Sequence, residues 1–169
     1  FLDVFEYYNN SLMTKSFSQF TKRKKFDYKN IIYPINNSFC KILSYCVMPD
    51  HYHLLVKLLT DNSLSKYISD VENSFSRYFN IKFNRKGPLW QSRFRSVEIN
   101  TDEQLLHVSR YIHLNPATDY LVSKPEKWKF SSYKDYIYNN YYIRKVLNEI
   151  KINDGLKYKK FCENQIDYQ

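Results

Sequence analysis

The sequence predicts an α+β fold with one sheet that carries helices mostly on one face. Two apolar runs with the character of strands, 41–47 and 52–59, flank Pro49 and Asp50, and a third run of alternating residues occupies 92–99. Between the second and third runs, apolar residues recur with the 3.6-residue period of an amphipathic helix. Strands with helices between them in this order favour a single α+β domain.

The length and net charge of the chain limit the number of domains and the kinds of partner that it can have. Its 169 residues are enough to bury a core and most simply form one domain. Lys and Arg number 26 against 17 Asp and Glu, which gives a net charge of +9 and a pI near 9.3. Such a basic, aromatic-rich chain favours a polyanionic partner, with nucleic acid first, while a basic surface without a partner is the plain alternative.

The cysteine content and the lack of long apolar runs indicate in which cellular compartment the protein is expected. Cys40, Cys46 and Cys162 are odd in number and lack the spacing of zinc ligands, so they fit a reducing cytoplasm better than a disulfide framework. No apolar run approaches the ~18 residues of a membrane span, and no signal peptide is visible. We therefore expect a cytoplasmic protein that does not cross a membrane.

The first elements are a short helix and a pair of strands. Phe1, Val4, Phe5 and Tyr8 fall on one helical stripe. The two strands are separated at Pro49, because proline fixes φ and has no amide donor for a strand ladder. We therefore expect two successive strands with a break between them.

The second strand has two unlike faces, because side chains two apart on a strand point the same way. His51, His53 and Leu55 share one face. The other face is apolar enough to take a layer of helices and comprises Tyr52, Leu54, Val56 and Leu58. The two neighbouring imidazoles are a suitable pair of metal ligands. The plain alternative is a pair of surface histidines on a half-buried strand.

Two longer helices follow the strands. The first covers 64 to about 83 and begins after Ser63, a residue type that can cap it. The second begins at 100–103, where a capping residue precedes acids in the first turn. It is expected to end near Asn115, because the residue before Pro116 disfavours helical geometry. A C-terminal region with one or two further helices completes the chain.

The helix before Pro116 carries a second group of chemical interest. His107, Tyr111 and Asn115 are spaced i, i+4 and i+8 and share one face, while His113 points elsewhere. A phenol is a poor nucleophile at its ordinary pKa of ~10. It can attack a phosphodiester if a divalent metal neutralises the phosphate and holds the scissile bond in line.

Two residues of this helix are alternative candidates for the third ligand of such a metal site. Two imidazoles and the amide oxygen of Asn115 would leave open positions for substrate oxygens, and His107 is a competing ligand. The plain alternatives are that Tyr111 is a half-buried packing residue and that His107 is a helix-surface residue.

Four motifs, in this order, resemble those of the single-tyrosine HUH transposases, in which two histidines flank a hydrophobic residue. They are Met48–Leu55, Gly87–Phe94, Tyr111–Pro116 and Trp128–Tyr133, and they span about residues 41–136. Each is weak by itself, but four in sequence are specific. The Tyr-Ile-x-x-Asn-Pro form is most similar to the REP-associated tyrosine transposases, since insertion-sequence members more often carry glutamine in place of this asparagine.

The resemblance implies an architecture. Residues 1–136 would form a ferredoxin-like βαββαβ catalytic domain with a single antiparallel sheet, and residues 137–169 a C-terminal helical extension packed on it. The family's first strand would precede the helix at Phe1–Tyr8, so it is expected to be missing here. Its loss would remove sheet hydrogen bonds and expose an edge.

The resemblance also implies a metal-dependent reaction on DNA. Mg²⁺ or Mn²⁺ would be held by His51, His53 and Asn115, and Tyr111 would be the nucleophile. The substrate would be single-stranded DNA recognised next to a short hairpin. Cleavage would leave a 5′-phosphotyrosyl link and a free 3′-OH, and the protein would act as a monomer or a homodimer.

Basic residues around the turn between the long helix and the third predicted strand are the expected DNA contacts. They are Arg77, Lys82, Arg85, Lys86, Arg93 and Arg95. Two other functions stay open. One is a rolling-circle replication initiator or relaxase with the same chemistry, against which the Trp-x-x-Ser-Ser-Tyr and Tyr-x-x-x-Asn-Pro motifs argue. The other is a non-catalytic module whose aromatic residues stack bases while Lys and Arg track phosphates.

Overall fold

The computed structural model describes residues 1–21, 37–138, 149–150, 152 and 154–165 and has the predicted α+β fold. In chain order the elements are α1 (Leu2–Tyr8), α2 (Phe17–Thr21), β1 (Cys40–Val47), β2 (Tyr52–Leu58), α3 (Leu64–Lys82), α4 (Asp102–Thr118), a 3₁₀ turn (Pro125–Lys127), α5 (Tyr133–Ile137) and α6 (Gly155–Glu163). Among these helices, none has the length and apolar character that crossing a membrane requires.

The sheet is an antiparallel hairpin of β1 and β2, and both strands match their predicted ranges within one residue at each end. The turn between them follows from Pro49, which has no amide donor to extend the ladder; Pro49 and Asp50 are both exposed. The Met48 N–H donates to the His51 carbonyl oxygen at 2.9 Å and closes this turn. The hairpin therefore brings His51 to the start of β2.

Both faces of β2 are at least partly buried, since the predicted face is half-buried at its first three positions. Leu55, which shares a face with His53, is only 4% exposed, whereas Leu58 of the opposite face is 45% exposed. Leu55 belongs to one core cluster with Ile112 and Leu114 of α4. Apolar residues lie on both faces of this strand, so alternation by itself does not decide which face a helix covers.

The predicted third strand at 92–99 is wrong. In the structure these residues have no regular secondary structure. The edge of β1 pairs instead with residues 130–132, and the Val47 N–H donates to the Phe130 carbonyl oxygen at 2.9 Å. An alternating sequence forms a strand only where it finds a partner with unpaired backbone groups.

The two long helices begin where the sequence indicates, but their first residues act differently. Ser63 precedes α3 without capping it, because its Oγ donates to the Thr60 carbonyl oxygen at 2.7 Å. Thr101 does cap α4, since its Oγ1 accepts from the Gln104 N–H at 3.1 Å. This bond satisfies one of the amide donors that every helix start leaves open.

The predicted end of α4 near Asn115 is also wrong, since the helix continues to Thr118. Pro116 lies inside the last turn and is buried. It removes one amide donor, but the Asp119 N–H still donates to the Asn115 carbonyl oxygen at 2.9 Å. A proline so near the end costs few helical bonds, and burial of its ring offsets part of that cost. Asn115 therefore lies within the helix.

The chain forms two compact units, of which the first comprises residues 1–41 and 58–96. In this unit α1 packs on α3 through aromatic side chains. The phenol of Tyr67 donates to the Phe5 carbonyl oxygen at 2.9 Å, and both residues are buried. This bond satisfies the one polar group of a buried aromatic ring.

The second unit comprises residues 42–57 and 97–169, and its core joins both strands to α4, α5 and α6. The phenol of Tyr136 donates to the Leu43 carbonyl oxygen, which ties α5 to β1. A Cβ added to Gly155 would lie 2.5 Å from the Tyr136 carbonyl oxygen. Glycine at this position therefore allows the start of α6 to approach α5 closely.

Candidate active site

Two histidine side chains meet where β2 begins. His51 is exposed at the end of the turn, and His53 is half-buried one step along the strand. Their Nε2 atoms lie 3.0 Å apart, and their rings are nearly perpendicular, at 89°. The strand period of two residues puts both imidazoles on one side of the hairpin, as the sequence predicts.

A carboxylate orients the first imidazole. Asp50 Oδ1 lies 2.7 Å from Nδ1 of His51, and this hydrogen bond lowers the pKa of Asp50. A charged carboxylate accepts a hydrogen bond from the Nδ1–H group, which leaves the lone pair of Nε2 free to bind a metal. Burial lowers the pKa of His53, with a further lowering by the neighbouring His51 and an opposing effect of Asp119. Burial and the neighbouring His51 thus both favour the neutral form of the His53 imidazole, which is the form that binds a metal.

The spacing of the two nitrogens suits a divalent ion. Donors about 2.1 Å from one octahedral ion and at right angles around it lie about 3.0 Å apart, which matches the Nε2 separation of 3.0 Å. In the described residues, no group of three or more His, Cys, Asp or Glu side chains could hold a metal ion. Among the described residues, a further protein ligand would therefore have to be of another residue type, such as an amide.

Tyr111 lies beside this pair. It stands on α4 with 60% of its surface exposed, and its ring centroid is 5.5 Å from that of His53. The packing of Leu55 against α4 explains this proximity, because the same face of β2 carries His53. The structure thus brings three of the sequence-predicted residues together: two imidazoles and one accessible phenol.

Asn115 contacts the same helix turn but not the imidazoles. Its amide Nδ2 donates to the Tyr111 carbonyl oxygen at 3.2 Å, and the residue is 7% exposed. No hydrogen bond joins its side chain to His51 or His53 in the described structure. The Asn115 amide is therefore held against the backbone of the preceding helical turn, at Tyr111.

His107 is directed toward the C-terminal helix. Its Nδ1 lies 2.9 Å from Nη2 of Arg110, and its ring packs 5.9 Å from that of Phe161. Because a guanidinium only donates, the lone pair of Nδ1 is occupied by this contact. A cationic neighbour also opposes the binding of a metal ion at this imidazole.

His113 points away from the Tyr111 face, as its position on the helix predicts, and it lies in the core. Its Nδ1 lies 2.7 Å from the Tyr158 phenol and its Nε2 lies 2.7 Å from Ser132 Oγ. Burial lowers the pKa of His113 to about 3, so the imidazole is neutral. Ser132 also accepts from the Tyr45 N–H at 2.9 Å. This network ties α4 to β1 and α6.

Sequence reasoning missed the parts played by Asp50 and Ser132. The carboxylate directly before the histidine motif was a usable signal, since metal-binding imidazoles commonly donate to a carboxylate. Ser132 lies in the Trp128–Tyr133 motif, but no local pattern indicates its bonds, because its partners Tyr45 and His113 are 87 and 19 residues away in the chain.

The six predicted DNA contacts are exposed and belong to the first unit, whereas the histidine pair and Tyr111 belong to the second. Arg85 has a structural task there. Its Nη1 donates to Asn80 Oδ1 and its Nη2 to the Pro88 carbonyl oxygen, both at 3.0 Å. These bonds brace the turn after α3.

Comparison with known proteins gives two matches. The family model for IS200-like transposases matches residues 10–115, a range that includes both histidines, Tyr111 and Asn115. A Haemophilus influenzae protein named as a REP-associated tyrosine transposase is 30% identical over 98 residues. The aligned region covers 52% of this chain and 56% of that relative, so the chain spans little more than half of the relative's length. No solved structure matches the chain significantly.

Proposed function

The chain belongs to the IS200-like transposase family, and from this premise we propose that it cleaves and rejoins single-stranded DNA through a covalent bond to Tyr111. The single observation that carries the proposal is the exposed Tyr111 phenol beside two imidazoles whose Nε2 atoms are 3.0 Å apart. A nucleophile next to converging metal ligands is the arrangement that phosphodiester cleavage by tyrosine requires.

The proposed metal ligands are His51, His53 and the amide oxygen of Asn115. When bound, Mg²⁺ or Mn²⁺ supplies positive charge at the scissile phosphate. Asn115 is favoured over His107, because the Asn115 amide is held against the Tyr111 backbone while His107 is bonded to the Arg110 guanidinium.

The chemistry proposed for Tyr111 is an exchange of one phosphodiester for another. Its phenolic oxygen attacks the phosphorus, the bond from phosphorus to the 3′-oxygen breaks, and the phenol's proton ends on the released 3′-OH. The 5′-phosphate stays on Tyr111, so the energy of the broken bond is kept. Attack by another 3′-OH reverses the step and frees the tyrosine.

The proposed substrate is single-stranded DNA next to a short hairpin, bound by a monomer or a homodimer. The net charge of +9 supports a polyanionic substrate, and the family supports DNA. The cytoplasm is the proposed compartment, because the three cysteines are free, as thiols are in a reducing compartment.

The test is capture of the covalent intermediate. Single-stranded oligonucleotides that carry hairpins and flanks from inverted repeats near the coding sequence are labelled at the 3′ end and incubated with Mn²⁺. The unmodified protein should give a protein-linked band on a denaturing gel, and Tyr111→Phe should give none while still binding DNA. The matched control is Tyr120→Phe, because Tyr120 is 88% exposed on the loop after α4 and should not be needed.

Two results would reject parts of this proposal. A protein-linked band that persists in Tyr111→Phe would move the nucleophile to another tyrosine. Tyr133 is a poor substitute, because it is fully buried and burial raises its pKa well above the usual range. DNA binding without any band in the unmodified protein would favour a non-catalytic nucleic-acid-binding module.

A further inference from the structure

The helix α3 buries apolar side chains along its first half and exposes several near its C-terminal end. Tyr67 and Val71 are fully buried in the first unit, whereas Tyr78 is 53% exposed. Ile81 and Phe83 continue the exposed part, at 77% and 57%. Large apolar side chains grouped on a surface in this way mark an interaction site more often than isolated ones do.

The exposed rings are surrounded by positive charge. Lys82 Nζ lies 5.5 Å from the ring centroid of Tyr78 and 5.6 Å from that of Phe83. The segment 73–97 contains six Lys or Arg residues and no Asp or Glu. A partner for this surface must therefore combine an apolar or aromatic face with negative charge.

Ring packing along α3 and hydrogen bonds in the following turn also hold this surface in place. The ring of Phe83 packs on Phe79 with centroids 4.5 Å apart, and Phe79 packs on Phe75 at 6.0 Å. The turn that follows is braced, because Asn80 Nδ2 donates to the Gly87 carbonyl oxygen at 2.9 Å and Asn80 Oδ1 accepts from Arg85. A surface fixed in this way loses little conformational entropy when a partner binds.

We propose that Tyr78 and Phe83, with Lys82 between them, form a stacking platform for unpaired bases of single-stranded DNA. The proposal rests on the proposed function for its choice of ligand. Unpaired nucleotides offer the two features that this surface selects, a flat π-face and a phosphate. Base pairs in a duplex keep their faces stacked on one another, so duplex DNA offers only the phosphates.

Self-association through this surface is disfavoured by its charge. A two-fold dimer brings the same patch of both copies together. The segment 73–97 would then face its own six cations with no acidic residue to pair with them. Like charges brought together in this way repel.

The experiment separates stacking from phosphate binding. A labelled 12-nucleotide oligonucleotide of mixed sequence without hairpins is titrated with the full chain, without metal, and compared with an oligonucleotide of the same length in which every position is abasic. Tyr78→Ala/Phe83→Ala should bind the intact oligonucleotide at least about tenfold more weakly than the parent, since each stacked base contributes roughly a factor of 5 to 100. The abasic oligonucleotide should bind parent and variant within about twofold of each other.

A matched variant tests the charge separately. Tyr78→Trp/Phe83→Trp keeps the aromatic faces and should bind the intact oligonucleotide as the parent does. Lys82→Gln should flatten the salt dependence by roughly 0.7 in the logarithmic slope, as expected for one phosphate contact on a single strand, while Tyr78→Ala/Phe83→Ala should leave that slope unchanged.

Two outcomes would overturn the inference. In one, the double alanine variant binds the intact oligonucleotide as tightly as the parent does. In the other, the parent is a dimer in sedimentation, the variant is a monomer, and both lose the same affinity on abasic substitution. Formation of the Tyr111 adduct on hairpin DNA in either case would leave the proposed function standing. Failure of the unmodified protein to bind any single strand would reject the proposed function as well.

Discussion

The short distance between the two imidazoles limits how many protons or metal ions they can bind together. With 3.0 Å between the Nε2 atoms of His51 and His53, the pair can hold one proton or one metal ion, but not two protons. Asp50 biases this choice, because its carboxylate accepts from Nδ1 of His51 and leaves Nε2 as a lone-pair donor. Metal binding at this pair, if it follows the proposed function, should therefore depend on a residue that is not itself a proposed ligand.

The first prediction concerns this carboxylate. Asp50→Asn should weaken Mn²⁺ binding by about tenfold. Loss of a carboxylate that orients a metal-binding histidine lowers metal affinity by about 10- to 100-fold, and the lower value is expected because the Asp50 side chain is 85% exposed. Binding of Mn²⁺ without DNA, followed by electron paramagnetic resonance, measures the effect. Asp61→Asn, an exposed aspartate in the turn after β2, should bind Mn²⁺ normally. Unchanged affinity in Asp50→Asn would show that this carboxylate does not orient the pair.

The second prediction concerns the histidines themselves. His51→Ala and His53→Ala should each abolish Mn²⁺-dependent adduct formation while they leave metal-free thermal unfolding close to that of the parent. The reason is that His51 is exposed and His53 only half-buried, so ligand loss harms chemistry more than packing. A much lower unfolding temperature in either variant would identify the histidines as core residues instead of ligands.

A third prediction at this scale is acid instability caused by His113. Its pKa is about 3 in the folded protein against 6.5 for a free histidine. Because the folded value is lower, the unfolded chain takes up a proton that the folded protein excludes as the pH falls below 6.5. Stability should fall progressively toward pH 3, by about 2 kcal/mol at pH 5 from this group.

Urea unfolding at pH 7 and pH 5 tests this effect. His113→Gln should lose most of the difference in unfolding free energy between the two pH values, although it is less stable at pH 7. His107→Gln should keep the difference, since His107 is exposed. Equal pH dependence in the parent and in His113→Gln would place the acid sensitivity at other groups.

At the scale of elements, α4 has one buried face and one exposed face that carries the proposed nucleophile. Tyr111 is 60% exposed, while His113, two residues later, is fully buried between Tyr158 and Ser132. Two residues correspond to about 200° of helix rotation. The contacts of His113 therefore fix the rotation of α4 and with it the direction of Tyr111.

The fourth prediction tests these contacts of His113. Ser132→Ala removes a partner of His113 Nε2 and the acceptor of the Tyr45 N–H. It leaves buried polar groups unsatisfied and should lower the free energy of unfolding by about 1–3 kcal/mol. Ser123→Ala should change stability by less than about 0.5 kcal/mol, because within the described part of the chain the exposed Ser123 hydroxyl is hydrogen-bonded only to the exposed Lys127. Chemical denaturation measures both, and equal stability of the two variants would contradict the role of Ser132.

At the scale of the whole molecule, charge governs the expected binding of DNA. The net charge of +9 predicts affinity that falls steeply with salt. Arg93 and Arg95 are exposed, and no hydrogen bond or ion pair engages their side chains within the described residues. Arg85, by contrast, braces the turn at Pro88.

The fifth prediction follows from this contrast. Arg93→Ala and Arg95→Ala should each weaken binding to hairpin-flanked single strands and reduce the salt slope by roughly 0.7, without loss of stability. Arg85→Ala should lower the unfolding temperature as well. Fluorescence anisotropy at several salt concentrations and thermal unfolding measure the two effects. Equal affinity for blunt duplex DNA, or a missing salt slope, would count against a role in strand processing.

Local sequence patterns determined the hairpin, α3, the start of α4 and the spacing of Tyr111 and Asn115 on one helix. Each of these depends on residues within a few positions of one another. Strand alternation, helical periodicity and the Thr101 cap act over that range. The resemblance to single-tyrosine transposases also came from short motifs, and the family match confirms it.

Only the tertiary structure decided which of these patterns found partners. The run at 92–99 is no strand, because the edge of β1 pairs with residues 130–132. The face of β2 that packs on α4 is the one with Leu55, which brings His53 to Tyr111. Burial and strand pairing join residues far apart in the chain, so their outcome depends on competition between surfaces that no local pattern encodes.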